Sequence, residues 1–208
     1  MRLKLYIAGP EVFLANAREI MDRKTALCHQ YGFEAICPGD LDIPKADTPK
    51  AFGLAISKVD EDMMNGADGV IANLTPFRGI AADVGTCFEL GYMCAQGKMV
   101  AAYTNVVADH YQRTLDYYGG KVVDGADGHT RGPDGLSLEN FDMFDNLMLH
   151  GGVERRGGHI AIHSAAADAL YTDLTAFEEC LKVLAAREPA LPRDEGMRPE
   201  ELDASNDD

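Results

Sequence analysis

The sequence predicts an α/β protein built on an open parallel sheet of about five strands with helices on both faces. Three observations predict it. Short apolar runs that stop at Gly, Pro or Asn alternate with longer segments of helical periodicity, the order expected of parallel strands joined by crossover helices. The chain has 208 residues, 46% apolar and 25% charged, which suits one domain with a sizeable core. No apolar run approaches the ~18 residues needed to span a membrane.

Taken in order, Leu3 to Ala8 is the first strand, a short apolar run stopped at Gly9-Pro10. Residues 15–31 set Ile20, Met21, Leu27 and Tyr31 on one helical face and close at Gly32. Phe33 to Cys37 is the second strand, ended by Pro38-Gly39. Phe52, Ile56, Val59 and Met63 then mark a second helix. Gly69 to Leu74 is the third strand, 83–96 the third helix, and Met99 to Tyr103 the fourth strand. The crossovers are expected to be right-handed. After residue 104 the pattern loosens. Residues 119–136 hold six glycines and one proline and read as an insert that cannot be regular for long. A helix is expected around 140–150, with Phe141, Phe144, Leu147 and Met148 on one face. His159 to His163 is the last strand. The final helix, about 165–186, carries Leu170, Leu174, Phe177, Leu181 and Leu184; that stripe packs on the sheet or on another subunit, and spacing does not choose. Residues 1–187 therefore read as one domain. Residues 188–208, acidic and aperiodic, read as a disordered tail.

Charge and composition exclude several functions. With 19 Lys and Arg against 34 Asp and Glu the net charge is −15, opposite to what a general nucleic-acid binder needs. Five cysteines without a CxxC pair argue for reduced thiols in a cytoplasmic enzyme rather than a disulfide framework or a zinc site. The N-terminal apolar stretch is broken by Gly9, Pro10 and Glu11, so it reads as mature protein and not as a signal peptide. His159 and His163 would suit a metal on a helix, but HIAIH alternates like a strand and lacks a third ligand. There is no GxGxxG, no P-loop and no calcium-loop spacing in DGADGHTRGPDG.

In an open parallel sheet ligands bind beyond the carboxyl ends of the strands. The turn at Tyr6–Pro10, the segment Asn73–Gly79, the start of the third helix at Asp83–Glu89 and the region after Tyr103 all fall there. Asp83 suits a helix N-cap as well as a ligand contact. Glu89, in the small and apolar stretch GTCFELGYM, looks buried, and a buried carboxylate is expensive unless paired or functional. Six residues on a helix span about 600°, so Asp83 and Glu89 diverge and do not form a symmetric acid/base pair. One nucleophilic or basic glutamate, with Asp83 binding substrate, fits the spacing.

LYIAGPEVF at 5–13, VDEDMMNGADGVIANLTPFRG at 59–79 and ADVGTCFELGYMCAQGK at 82–98 together resemble the nucleoside 2-deoxyribosyltransferase family, with a fainter match at FDNLM, 144–148. The resemblance implies a flavodoxin-like sheet and a homo-oligomer. It implies transfer of 2-deoxyribose from a deoxynucleoside to a free nucleobase, with no cofactor, no metal and no membrane or nucleic-acid partner. By the resemblance, Glu89 attacks the anomeric carbon and forms a glycosyl-enzyme ester. Tyr6 holds that glutamate, Asp60 contacts the nucleobase and its proton, and Asp83 binds the sugar hydroxyls. Phe13 lies beside the base, Gly9 belongs to the substrate-binding turn, and Asn146 enters a neighbouring subunit's site. The chemistry is coherent, since a carboxylate stabilises an oxocarbenium-like state and can trap it. Each residue also has a plainer role: a core tyrosine, a solvated Asp60, an exposed Asn146, a packing Phe13, a turn-shaping Asn73. The segment 105–164, with its glycine-rich insert, is longer than in the short family members. It leaves open a hydrolase of nucleosides or nucleoside 5′-monophosphates, with Arg78, Arg155 and Arg156 as phosphate candidates. A non-catalytic nucleotide-binding sensor on the same fold is a further alternative.

Overall fold

The computed structural model describes residues 2–187, so the expectation for the acidic tail lies outside the described residues. Strand β1 (Lys4–Ala8) leads through a single 3₁₀ turn (Pro10–Phe13) to α1 (Ala17–Gln30). Then come β2 (Glu34–Ile36), α2 (Pro49–Gly66), β3 (Gly69–Asn73), α3 (Val84–Ala95) and β4 (Met99–Thr104). Beyond β4 lie α4 (His110–Tyr117), a small hairpin of β5 (Val123–Asp124) and β6 (Thr130–Arg131), α5 (Leu147–Glu154), β7 (His159–Ile162) and α6 (Thr175–Ala186). The main sheet is parallel throughout, in the order β2-β1-β3-β4-β7. That is the flavodoxin-like order, in which the sheet reverses its direction of growth at β1 and β3.

Alternation along the strands divides the core in two. Tyr6, Ala8, Val70, Ala72, Val100 and Ala102 face Met63 and Met64 of α2, Leu90 and Met93 of α3 and Val153 of α5. Leu5, Ile7, Ile71, Ala101 and Tyr103 face the other way, onto Ile20 and Cys28 of α1 and Phe177, Leu181 and Leu184 of α6. The leucine stripe of α6 is thus spent on the sheet rather than on another subunit. At Gly69 a side chain is excluded: a Cβ there would lie 2.8 Å from the Met99 carbonyl oxygen, so β3 and β4 approach closely at their start.

The late chain corrects the sequence reading in four places. Helix α4 was not expected, although Asp109 caps it and Tyr111, Leu115 and Tyr118 fall at helical spacing; its buried residues are Arg113 and Thr114. The glycine-rich insert contains the β5–β6 hairpin, closed by Thr130 Oγ1 donating to Asp124 at 2.6 Å. Helix α5 begins at Leu147 and not near 140, because Asn146 caps it by accepting from the Met148 amide. Phe141 and Met148, expected on one packing face, are exposed. Helix α6 begins at Thr175, ten residues late, because residues 165–174 are turns and loop. Helix α2 buries only Met63 and Met64 at its far end. Its first turns leave Phe52, Leu54 and Ile56 in the open. Among the described residues, no helix is long and apolar enough to cross a membrane.

Candidate active site

The site forms at the carboxyl ends of β1 and β3, on the face covered by α2 and α3. Tyr6 comes from β1, where its ring is fully buried, and its hydroxyl donates to Glu89 Oε1 at 2.8 Å. Helix α3 offers Glu89 from its second turn. The stretch around it is less buried than its composition suggests, since Phe88 and Val84 are exposed and Glu89 is itself only partly enclosed. Burial pushes the Glu89 carboxyl up to about 7; the Tyr6 hydroxyl pulls it down, and the negative charges of Asp60 and Asp83 push it further up. Among the described residues no cation pairs with it. The Tyr6 phenol is held far above its ordinary range by burial first, then by Glu89 and Asp60, so it stays protonated and can only donate to the carboxylate.

Asp60 lies in the third turn of α2, half-enclosed, and burial raises its carboxyl above the ordinary range. Asp83 is the N-cap of α3: one of its oxygens accepts from the Thr86 amide at 3.0 Å and from Thr86 Oγ1 at 3.2 Å. Capping and ligand binding are compatible here, because those two bonds use Oδ2 and leave Oδ1 outside them. Glu89 therefore feels two further carboxylates, Asp60 and Asp83, with no counter-ion among the described residues, an arrangement that is costly unless a substrate carrying developing positive charge uses it.

Gly9 ends β1 with extended backbone; a Cβ on it would lie 2.0 Å from Glu11 Oε2 and 3.0 Å from Asn73 Cβ, so the turn admits no side chain. Phe13, 55% exposed, stacks on Phe77 at 5.2 Å with an interplanar angle of 16°. Arg78 lies over both rings, 5.1 Å from Phe13 and 4.7 Å from Phe77. Tyr171 packs its edge on Phe77 and donates to the Pro76 carbonyl at 2.6 Å. Arg78 adopts a positive φ of 53°, a strained conformation for a side-chain-bearing residue. Asn146 makes its bonds within its own chain: it caps α5, and its Nδ2 donates to Glu139 at 3.1 and 3.3 Å. Asn73 shapes a turn by accepting from the Thr75 amide, and also donates to Glu11. Arg156, one of the phosphate candidates, bonds the Cys94 and Gly152 carbonyls at the far end of α3, away from the site. His159 and His163 sit on and after β7 and face Glu179 and Asp173.

Sequence reasoning missed three groups. Phe77 and Tyr171 complete the aromatic wall beside Phe13; Phe77 follows a Pro in a loop, and no periodicity marks such a residue. Arg113 and Asp145 form a buried ion pair at 3.0 Å beside the start of α3. Glu11 and Lys24, both fully buried, are ion-paired beneath the β1 turn, where Glu11 Oε1 also accepts from Asn73 at 2.8 Å and Tyr103 at 2.9 Å. An isolated Glu in a turn and an isolated Lys on a helix give no signal that they meet.

Residues 5–148 match the nucleoside 2-deoxyribosyltransferase family. The chain belongs to that family. It is 31% identical over 194 residues to an uncharacterized protein of Schizosaccharomyces pombe, covering 88% of this chain and 89% of that one. Among solved structures it is similar to a 2-desoxiribosyltransferase from Leishmania mexicana, with 30% identity, a TM-score of 0.57, and 85% of this chain and 97% of that one covered. A conserved protein from Enterococcus faecalis, at 18% identity and a TM-score of 0.52 over 88% of this chain and 99% of that one, shares the fold. The family match spans Tyr6, Asp60, Asp83 and Glu89 and ends just beyond Asn146. It is an enzyme family acting on nucleosides, and the deoxyribosyltransferase assignment of the fold is thereby met.

Proposed function

We propose that the protein transfers 2-deoxyribose between nucleobases through a covalent ester on Glu89. The single observation that carries this reading is the Glu89 carboxylate, gripped by the Tyr6 hydroxyl, unpaired with any cation among the described residues, and flanked by Asp60 and Asp83. In the first half-reaction the ionised Glu89 attacks the anomeric carbon as the N-glycosidic bond breaks, and the departing base takes a proton. Asp60, whose carboxyl is raised by burial, suits the carrying of that proton. Asp83 Oδ1 accepts from the sugar hydroxyls. In the second half-reaction a different base attacks the same carbon, gives its N–H proton to Asp60 and releases Glu89. Phe13 and Phe77 offer an aromatic surface to the base.

A second copy is part of the proposal. Val84 and Phe88 on α3 and Met148 on α5 are large apolar residues left exposed on the helices that carry Glu89 and follow Asn146. A neighbouring chain covering them would bring its own Asn146 toward this site. Mixing Asn146→Ala with Glu89→Ala under subunit exchange should then restore up to roughly a quarter of wild-type activity in a dimer. No recovery, or a monomer at working concentration, rejects the shared site.

One observation favours a second reading, hydrolysis of nucleoside 5′-monophosphates. The Arg78 guanidinium sits beside the substrate turn, and among the described residues no carboxylate pairs with it. Incubating the protein with a deoxynucleoside and a different free base, and separately with a deoxynucleoside or its monophosphate alone, decides between them by chromatography. Exchange only in the first mixture supports the transferase. Free base released from the monophosphate alone supports the hydrolase, and no product in either supports a sensor.

A further inference from the structure

We propose that Arg113 and Asp145 are positioning residues for sugar recognition, a buried strut through which the chain between β4 and β7 sets where Asp83 and Asn146 stand. The inference rests on the reading of Asp83 as a sugar contact. Arg113 projects from α4 and is 8% exposed; Asp145 is 1% exposed. The guanidinium spends all three nitrogens. Nε donates to the Ile80 carbonyl at 2.7 Å, one terminal nitrogen to the Ala108 carbonyl at 2.9 Å, and the other to Asp145 Oδ2 at 3.0 Å. The same Oδ2 accepts from the Ala82 amide at 3.1 Å, and Asp145 Oδ1 accepts from the Asn146 amide at 2.7 Å.

One cation thus holds residue 80 and one carboxylate holds residue 82, so the backbone is clamped immediately before Asp83. The carboxylate also fixes the backbone of Asn146, whose side chain Glu139 holds from the loop before α5. A buried ion pair is a poor means of gaining stability, because desolvation offsets most of the attraction. A guanidinium fork is, however, a good means of fixing geometry, since its donors are rigid and planar. Every strut partner outside 80–82 lies between β4 and α5, and Asp145 and Asn146 fall within the FDNLM match.

A displaced sugar contact loses its hydrogen bond to a carboxylate, which costs about tenfold in binding. Arg113→Lys keeps the charge but cannot bond both carbonyls and Asp145 together. Asp145→Asn keeps an acceptor for Ala82 and removes the ion pair. The test uses the full chain and the four natural deoxynucleosides with their free bases. KM and kcat are measured with Glu89 intact, and dissociation constants by calorimetry in a Glu89→Gln background. Both variants should raise KM and Kd for the deoxynucleoside about tenfold, while kcat at saturation and Kd for the free base move less than twofold. A purely structural pair would lower the melting temperature and the active fraction without moving either KM or Kd. Folded variants with unchanged deoxynucleoside binding overturn the inference, as does failure of both variants to fold. A wild-type protein that neither binds nor turns over any deoxynucleoside removes the functional reading and this inference with it. Wild-type exchange with insensitive variants removes the inference alone.

Discussion

Two enclosed glutamates sit on opposite faces of the same sheet. Glu11 lies on the α1–α6 face, fully buried, with Lys24, Asn73 and Tyr103 all converging on one of its oxygens. Glu89 lies on the α2–α3 face, partly buried, with one tyrosine hydroxyl as partner and two carboxylates nearby. Tyrosine on a strand meets glutamate in both. The difference is the counter-ion. Lys24 neutralises Glu11 and its nitrogen also lies 5.5 Å from the Tyr103 ring centre and 5.1 Å from that of Phe177, which makes that carboxylate a fixed part of the frame. Among the described residues Glu89 has no such cation, and on the proposed reading its charge serves the ligand.

The comparison breaks most sharply if Glu89 is made neutral. Glu89→Gln should cut exchange by about 10³-fold or more, because a nucleophile supplies several kcal/mol of barrier lowering. Its stability should move the other way. The folded value near 7 lies above the ordinary 4.5, so the glutamate's contribution is fully present below pH 4.5 and is lost as pH rises through 7. Above pH 7 the variant should therefore melt higher than the wild type, and the gain should vanish below pH 4.5. Calorimetry across that range checks the sign; exchange within tenfold of wild type removes Glu89 from the nucleophile's role.

On the other face the expected loss is of stability. Lys24→Met leaves Glu11 buried without its cation and should cost about 3–5 kcal/mol. Glu11→Gln added to it should restore most of that loss, measured by denaturant unfolding. A smaller effect sharpens the link between strand and nucleophile. Tyr6→Phe should lower turnover about tenfold and move the acid limb of the rate profile to higher pH, since the lost hydrogen bond held the Glu89 value down. Its melting temperature should change little, one hydrogen bond being worth about 1 kcal/mol net. A fully active but markedly less stable Tyr6→Phe would return that residue to the core. Asp60→Asn should lower turnover as the base loses its proton carrier, and should give the smallest shift of the profile, moving the same limb slightly to lower pH because it deletes one of the charges that push Glu89 up. An unmoved limb would separate Asp60 electrically from Glu89.

How much of this was legible follows the physics of each signal. The first four strands could be read because buried parallel strands are apolar runs punctuated by Gly and Pro. Glu89 stood out because a carboxylate among apolar neighbours is conspicuous, although Phe88 beside it faces outward. Helix α4 carried a signal, an Asp109 cap with Tyr111 and Leu115 at helical spacing, but it is short and runs at once into Gly119-Gly120. The start of α6 was placed too early because Leu170 continues the leucine spacing into residues that turn instead. The Lys24–Glu11 and Arg113–Asp145 pairs were hidden for a deeper reason. Each joins residues far apart in sequence, and charge pairing has no periodicity to betray it.

The unburied start of α2 has a dynamic consequence. This helix is moored at Met63 and Met64 while Phe52, Leu54 and Ile56 face outward, and Asp60 sits where the moored part begins. Amide protons should therefore exchange with solvent at two rates along one helix, fast before Ile56 and slow around Met63, as few buried contacts restrain the first turns. If a second chain covers those turns, the fast rate should fall as protein concentration rises, while the slow one stays fixed.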